Sequence, residues 1–175
     1  MKVIDAANCL IEIARMTGST PIDNLKLNKL LYFAQAQSLL ERGTPLFPDS
    51  VQAWDYGPVV RRVYDAFKKY KSEPIESTSK QLDLQSICGE DLDLLIRIIK
   101  AYGVYTSNSL VSMTHAQGSP WQQSYQQGKS NTISNESIIE YHKSHPLQST
   151  KAPVKRPSVG YRDQDGYLVL PKDFD

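Results

Sequence analysis

Residues 53–60, Ala-Trp-Asp-Tyr-Gly-Pro-Val-Val, limit the fold more than any other stretch of this chain. Gly57 frees the backbone for a turn, while Pro58 fixes φ and removes an N–H donor. A residue with no donor suits the first position of a helix, where that N–H would lack a helical partner. Downstream, Val59, Val60, Val63, Tyr64 and Phe67 recur at steps of about three and four, the spacing of one helical face. The expectation is an extended segment over 51–56 that turns directly into a helix over 58–69. The other helices should pack around this junction. The polar face of the helix carries Arg61, Arg62, Asp65, Lys68 and Lys69.

The flanking chain reads as further helices. Val3, Ile4, Ala7, Leu10, Ile11 and Ala14 predict an amphipathic helix over 3–17, stopped by Gly18. Residues 25–42 are broader: Leu27, Leu30, Leu31, Ala34 and Ser38 form one face, and Tyr32, Phe33, Leu39 and Leu40 widen it. So wide an apolar face predicts a central helix buried on more than one side. Asp23 or Asn24 caps its start and Gly43 its end. Lys26, Lys29 and Arg42 read as solvated charges. The proline-bounded loop 44–50 hides Leu46 and Phe47.

Residues 71–90 are polar and irregular. Pro74-Ile75 extends a second short strand, and Leu82, Leu84 and Ile87 form a third strand or a weak helical turn. A helix over 90–102 is marked by Glu90, Asp91 and Asp93 in its first turn and Lys100 in its last. Another, over 107–115, has Thr106 as its cap and leads to the loop Ser119-Pro120-Trp121. A last one, over 135–143, has Ser134 as cap, with Ile133 stapled to Ile138.

From Pro146 onward the composition shifts to Pro, Lys, Ser and Thr, the mark of a linker. Asp165-Gly166 then predicts a two-residue turn between 159–164 and 167–170. An isolated hairpin is marginal in water, so this one should dock on the domain or on a partner. The fold class expected is mainly α: a compact bundle of about six helices with one or more short strands. It occupies residues 1–145, and a Pro-rich tail over 146–175 ends in a β-hairpin at 159–171.

The charge pattern narrows the function. The chain of 175 residues carries a formal net charge of +1. The charge is evenly spread: +2 over 1–70, −2 over 71–145 and +1 over 146–175. This offers no general attraction to nucleic acid or to anionic lipid. No apolar run approaches the roughly 20 residues that span a bilayer, and the N-terminus lacks a secretory core. Cys9 and Cys88 form no metal spacing, which suits a cytoplasmic protein with buried thiols.

Phosphate-loop, dinucleotide, zinc-protease and serine-elbow motifs are all missing. His142 and His145 stand one turn apart, but no Cys, Asp or Glu completes a metal site. His115 reads as a half-buried hydrogen bonder, and a catalytic pairing with Asp55 or Cys9 has nothing further behind it. No cofactor and no catalytic residue is expected. Arg61, Arg62, Lys68 and Lys69 with Tyr64 and Tyr70 would suit phosphate contacts, but Asp65 dilutes them. A helix-turn-helix would also need a turn of about 3–4 residues, not a long Pro-rich loop. What remains is a protein-interaction module. Trp54, Tyr56 and Trp121 are its largest apolar anchors, either packed in the core or facing a partner.

Three sets of residues carry a family resemblance: Leu27-Asn28-Lys29-Leu30-Leu31-Tyr32-Phe33-Ala34-Gln35; Ala53 to Val60 with Val63-Tyr64; and Leu110, Thr114-His115 and Ser119-Pro120-Trp121. In this order they resemble the Panacea domain of phage-associated GepA-like and SocA-like proteins, over residues 3–145. The resemblance implies a mainly helical cytoplasmic antitoxin that neutralises a toxin, encoded by an adjacent gene, by direct protein contact. A relative that delivers its toxin to a protease gives the alternative of an adaptor. A nucleic-acid-contacting module is the less favoured alternative. Some relatives carry an added DNA-binding domain, for which this chain has no room, so operator binding is not expected.

The faces expected to meet the partner are the helix side with Arg61, Arg62, Asp65, Lys68 and Lys69, and the tail with Tyr161, Tyr167 and Leu168. Trp54, Tyr56, Gly57, Pro58, Tyr64, His115, Pro120 and Trp121 match the signature and are expected to be structural. In that reading Gly57 and Pro58 enforce a turn and Trp54 fills the core.

Overall fold

Helix α2 (Asn24–Arg42), not the Trp-Gly-Pro junction, is the element around which the others are arranged. The computed structural model describes residues 1–75 and 89–148 in full, and the backbone of 161–162 and 168–169. Against α2 pack α1 (Val3–Met16), α3 (Arg61–Phe67), α4 (Gly89–Tyr102), α5 (Ser107–Thr114) and α7 (Asn135–Ser144). The short α6 (Pro120–Ser124) packs against α7. Seven α-helices are thus present among the described residues. The sequence predicts a loop at Ser119-Pro120-Trp121, yet Ser119 caps a sixth helix there and Pro120 opens it, the start signal of an ordinary helix.

The caps behave as the residue chemistry requires. Asp23 accepts the Lys26 N–H at 2.7 Å to begin α2. Gly43 ends it in the left-handed region at φ 68°. Thr106 and Ser134 accept from the backbone N–H of Ser109 and Ser137. The core joins these helices into one cluster, in which the Phe33 and Tyr102 rings stack at 4.2 Å between α2 and α4.

Helix α2 is buried on nearly every side, so its polar residues are buried too. They supply partners for backbone that would otherwise be buried and unpaired. The Gln35 side-chain amide oxygen Oε1 accepts the N–H groups of Leu46 and Phe47, at 2.9 and 3.2 Å. Ser38 donates to the Thr44 carbonyl at 2.9 Å. Together they pin the loop that buries Leu46 and Phe47.

Lys26 and Lys29 were expected to be solvated, but both are shut from solvent. The Lys26 ammonium donates to the carbonyls of Gly103 at 2.7 Å and Thr20 at 3.0 Å, and to the Thr20 hydroxyl. Arg42, also read as solvated, donates to the Asp91 carboxylate at 2.6 Å and ties the end of α2 to the start of α4.

The junction is a hairpin rather than a strand-to-helix corner. Strand β1 (Val51–Trp54) pairs antiparallel with β2 (Gly57–Val59), Trp54 opposite Gly57. On its other side β1 pairs antiparallel with β3 (Asn131–Ile133), Val51 opposite Ile133. Pro58 therefore lies in an edge strand, where the missing N–H costs no ladder bond to a second neighbour. Helix α3 starts only at Arg61 and passes into a 3-10 turn over Lys68–Tyr70. Gly57 takes φ +99° just after the two turn residues, as in hairpins closed by a glycine bulge.

Ile75 does not extend a strand. It is buried, and its N–H donates to the Ile22 carbonyl at 2.8 Å. Leu82, Leu84, Ile87 and Cys88 lie outside the described residues. In the tail, β4 (Tyr161–Arg162) pairs antiparallel with β5 (Leu168–Val169). Arg162 stands opposite Leu168. A two-residue turn at Asp165-Gly166 would instead pair Arg162 with Val169, so the register differs by one from the expected one. The side chains of Tyr161, Tyr167 and Leu168 lie outside the described residues.

Candidate interaction surface

The signature residues converge on the β1–β2 hairpin, where they act largely through its backbone. From α2, Lys29 donates to the Pro58 carbonyl at 2.9 Å, and Asn28 accepts the Val60 N–H at 2.9 Å. From α6, the Trp121 indole donates to the Trp54 carbonyl at 2.8 Å. Tyr125, just after α6, donates to the Asp55 carboxylate at 2.9 Å. His115 stacks on Trp121 at 3.5 Å, and Trp121 on Tyr125 at 4.8 Å. A short hairpin has little stability of its own, and these bonds fix it at both strands and at its turn.

Gly57 is held for a second reason besides φ. A Cβ there would lie 2.7 Å from Cε of Lys29 and 2.8 Å from Oγ1 of Thr114. The backbone must pass this close for Lys29 to reach the next carbonyl. Burial pushes the Lys29 ammonium down to about 7, against a smaller opposing effect of Asp23. His115 is also lowered, first by burial and then by the charge of Lys29.

No reaction centre forms from the groups weighed in the sequence. His115 Nε2 is buried and makes no hydrogen bond among the described residues. Asp55 is engaged by Tyr125. Burial, reinforced by nearby carboxylates, pushes the Cys9 thiol up to about 12, so it is not a thiolate at neutral pH. His142 bonds Tyr32 through Nε2 at 3.2 Å and the His145 carbonyl through Nδ1 at 3.0 Å. Both ring nitrogens are thus used internally. Among the described residues no group of three His, Cys, Asp or Glu is placed to hold a metal. No helix there is long and apolar enough to cross a membrane.

The clamped hairpin leaves one side of its turn open. There a groove of about 640 Å³ runs between the turn, α3 and the loop before β3. Trp54 was expected to fill the core, but it is only partly buried and lines this groove. Tyr56 is not core either: it is 70% exposed at the hairpin tip. Tyr64 is 37% exposed and meets the Trp54 ring edge-to-face at 4.9 Å. Of these aromatics only Trp121, at 9% exposure, is buried, and Pro120 beside it is buried too. The reason is geometric: Trp54 and Tyr56 belong to the two-residue turn and its flank, where the sheet has no covering layer.

The charged residues of α3 and of the 3-10 turn that follows it divide. Arg61 lines the groove, lies 5.5 Å over the Trp54 ring and pairs with Asp65 at 3.2 Å. Lys68 also lines it and pairs with Asp65 at 3.1 Å. Arg62 instead pairs with Asp49 at 3.1 Å, and Lys69 lies over the Tyr70 ring. Sequence reading missed Lys71 and Lys129, which complete the cationic wall. Neither belongs to a recognisable motif, and Lys129 is more than sixty residues from α3 in the chain.

Comparison with known proteins agrees with this arrangement of motifs. The model of the family described as "Antitoxin SocA-like, Panacea domain" matches residues 27–122. Antitoxin SocA of Caulobacter vibrioides (strain NA1000 / CB15N) is 33% identical over 124 residues, 66% of this chain and 65% of that protein. The chain thus matches slightly less than two thirds of the length of that curated relative. No solved structure matches. The family match takes in the Lys29, Gly57-Pro58 and Trp121 clamps together, and the chain belongs to the SocA-like Panacea family of antitoxins.

Proposed function

We propose that this protein is an antitoxin that binds a toxin protein encoded by an adjacent gene and neutralises it by direct contact, in the cytoplasm. The observation that carries the reading is the family match across the hairpin and its clamps. The physics of the site agrees. The buried lysines Lys26 and Lys29 are spent on holding backbone, while the exposed aromatics and charges sit on a rigid edge, which suits recognition rather than turnover. The contact surface proposed is the α3 side, with Arg61, Arg62, Asp65, Lys68 and Lys69. The tail bearing Tyr161, Tyr167 and Leu168 adds a second contact by strand pairing or wrapping.

Co-expression tests this directly. The adjacent gene product should arrest growth alone, and this chain should restore growth and co-purify with it. A harmless neighbour, or a pair that never co-purifies, overturns the proposal. If instead the neighbour's half-life shortens when this chain is present, the action is delivery to a protease rather than blocking. A chain cut after Pro146 should bind more weakly, and undiminished affinity removes the tail from the contact.

A further inference from the structure

We infer that the groove between the β1–β2 turn and α3 receives an acidic segment of the toxin, with one aromatic or aliphatic side chain anchored against Trp54 and Tyr64. This rests on the antitoxin reading and names the chemistry of its partner.

Charge is the first ground. Arg61, Lys68, Lys71 and Lys129 line the groove, and Asp55 is the one carboxylate among its lining residues. That carboxylate already accepts a hydrogen bond from Tyr125. Asp65 beside the groove pairs with Arg61 and Lys68, at 3.2 and 3.1 Å, and cations still outnumber carboxylates there, in a chain whose net charge is only +1. A segment carrying two or three carboxylates complements the site, while a nucleic acid would also seek a wider basic surface.

Apolar exposure is the second ground. Tyr56, Tyr64 and Val104 are the large hydrophobic side chains exposed among the described residues, and the two tyrosines line this groove. Tyrosine and tryptophan ringed by charge are the composition of binding hot spots. The volume of about 640 Å³ fits a few side chains of an extended peptide, not a folded face.

Rigidity is the third. The clamps from Lys29, Asn28, Trp121 and Tyr125 fix the hairpin wall, so little ordering cost remains when a partner binds. On the other wall Lys71 holds φ +54°, a backbone conformation that non-glycine residues rarely adopt. Glycine would be relaxed there, so a lysine at this point fits a role for its side chain.

The test uses the full chain and the protein encoded by the adjacent gene, with growth rescue, calorimetric affinity and Tm as readouts. Lys68→Glu with Lys129→Glu should weaken binding by about 30-fold or more, with the loss shrinking at high salt and Tm nearly unchanged. Tyr64→Ala should weaken it by about tenfold or more. Lys71→Gly should weaken binding while keeping or raising Tm, a split that a purely structural residue would not give. Lys2→Glu with Lys143→Glu, exposed cations outside the groove, should stay within about threefold of wild type.

If the wild type rescues and binds but the groove variants bind equally well, the groove inference falls and the antitoxin reading stands. If the wild type neither rescues nor binds, both fall. Should the double charge reversal fail to fold, Lys129→Glu alone, in an exposed loop, must still show a salt-sensitive loss. Tight binding of a fluorescein-labelled single-stranded oligonucleotide, abolished by the same variants, would replace the acidic peptide with nucleic acid and overturn the inference.

Discussion

Lys29→Met probes the buried amine beneath the hairpin, and its signature is a slope rather than a value. Lysine in the unfolded chain titrates near the ordinary 10.5, whereas burial brings folded Lys29 to about 7. Between these values the unfolded chain binds the extra proton, so stability rises with pH across that window. Below the folded value both states are charged and the slope vanishes. Each pH unit inside the window contributes about 1.4 kcal/mol. From about pH 6 to about pH 9 the onset is partly rounded, and the gain integrates to about 2–3 kcal/mol.

Methionine keeps the length of the side chain but cannot titrate. It also leaves the Pro58 carbonyl without its donor, a loss of about 1–3 kcal/mol that is independent of pH. Absolute stabilities therefore mix two effects, while their pH dependence isolates one. Lys26, lowered by burial to about 8, contributes equally to both proteins and cancels in the difference. Urea denaturation of wild type and variant at several pH values is the assay. The wild type should gain about 2–3 kcal/mol on the variant between about pH 6 and about pH 9. A difference that stays flat within about 0.5 kcal/mol would refute a neutralised, desolvated amine at this position.

Two further substitutions separate support from recognition. Gly57→Ala forces an unfavourable φ and brings its Cβ against Lys29 and Thr114, so it should cost about 2–4 kcal/mol, read from the urea midpoint. A loss under about 0.5 kcal/mol would show that hairpin and α2 part easily. Trp54→Ala removes a partly exposed ring and should cost about 2 kcal/mol, less than a fully buried tryptophan. Its effect on toxin binding should exceed its effect on melting, and the opposite order would return Trp54 to a core role.

Much of the fold was legible because helices announce themselves locally. The stripe from Val3 to Ala14, the wide face of 25–42 and the caps at Asp23, Thr106 and Ser134 all give elements where expected. The errors share a cause. Pro58 suits the first turn of a helix and an edge strand equally well, and the choice is settled by pairing with β1 and by the Lys29 ammonium on its carbonyl, a contact from α2 that lies outside any local pattern. Lys26 and Lys29 look like surface charges because nothing within a turn of sequence reveals which carbonyls wait for them. In the structure those carbonyls belong to Gly103 and Pro58.

Of the candidate surface, the sequence offered the α3 cations and the signature residues but could not sort them. Arg61 and Arg62 are neighbours, yet one faces the groove and the other Asp49.

By itself, then, the amino-acid order determined that this is a mainly helical chain built on one broad apolar helix, carrying the signature of the Panacea family. Those properties follow from periodicity and residue identity, which act within a few residues. Only the tertiary structure decided that the signature is a clamp, that Trp54 and Tyr56 stand at an open edge, and that Lys71 and Lys129 join Arg61 and Lys68. These depend on which distant backbone groups must be paired once water is excluded, and that is set by packing rather than by any local pattern.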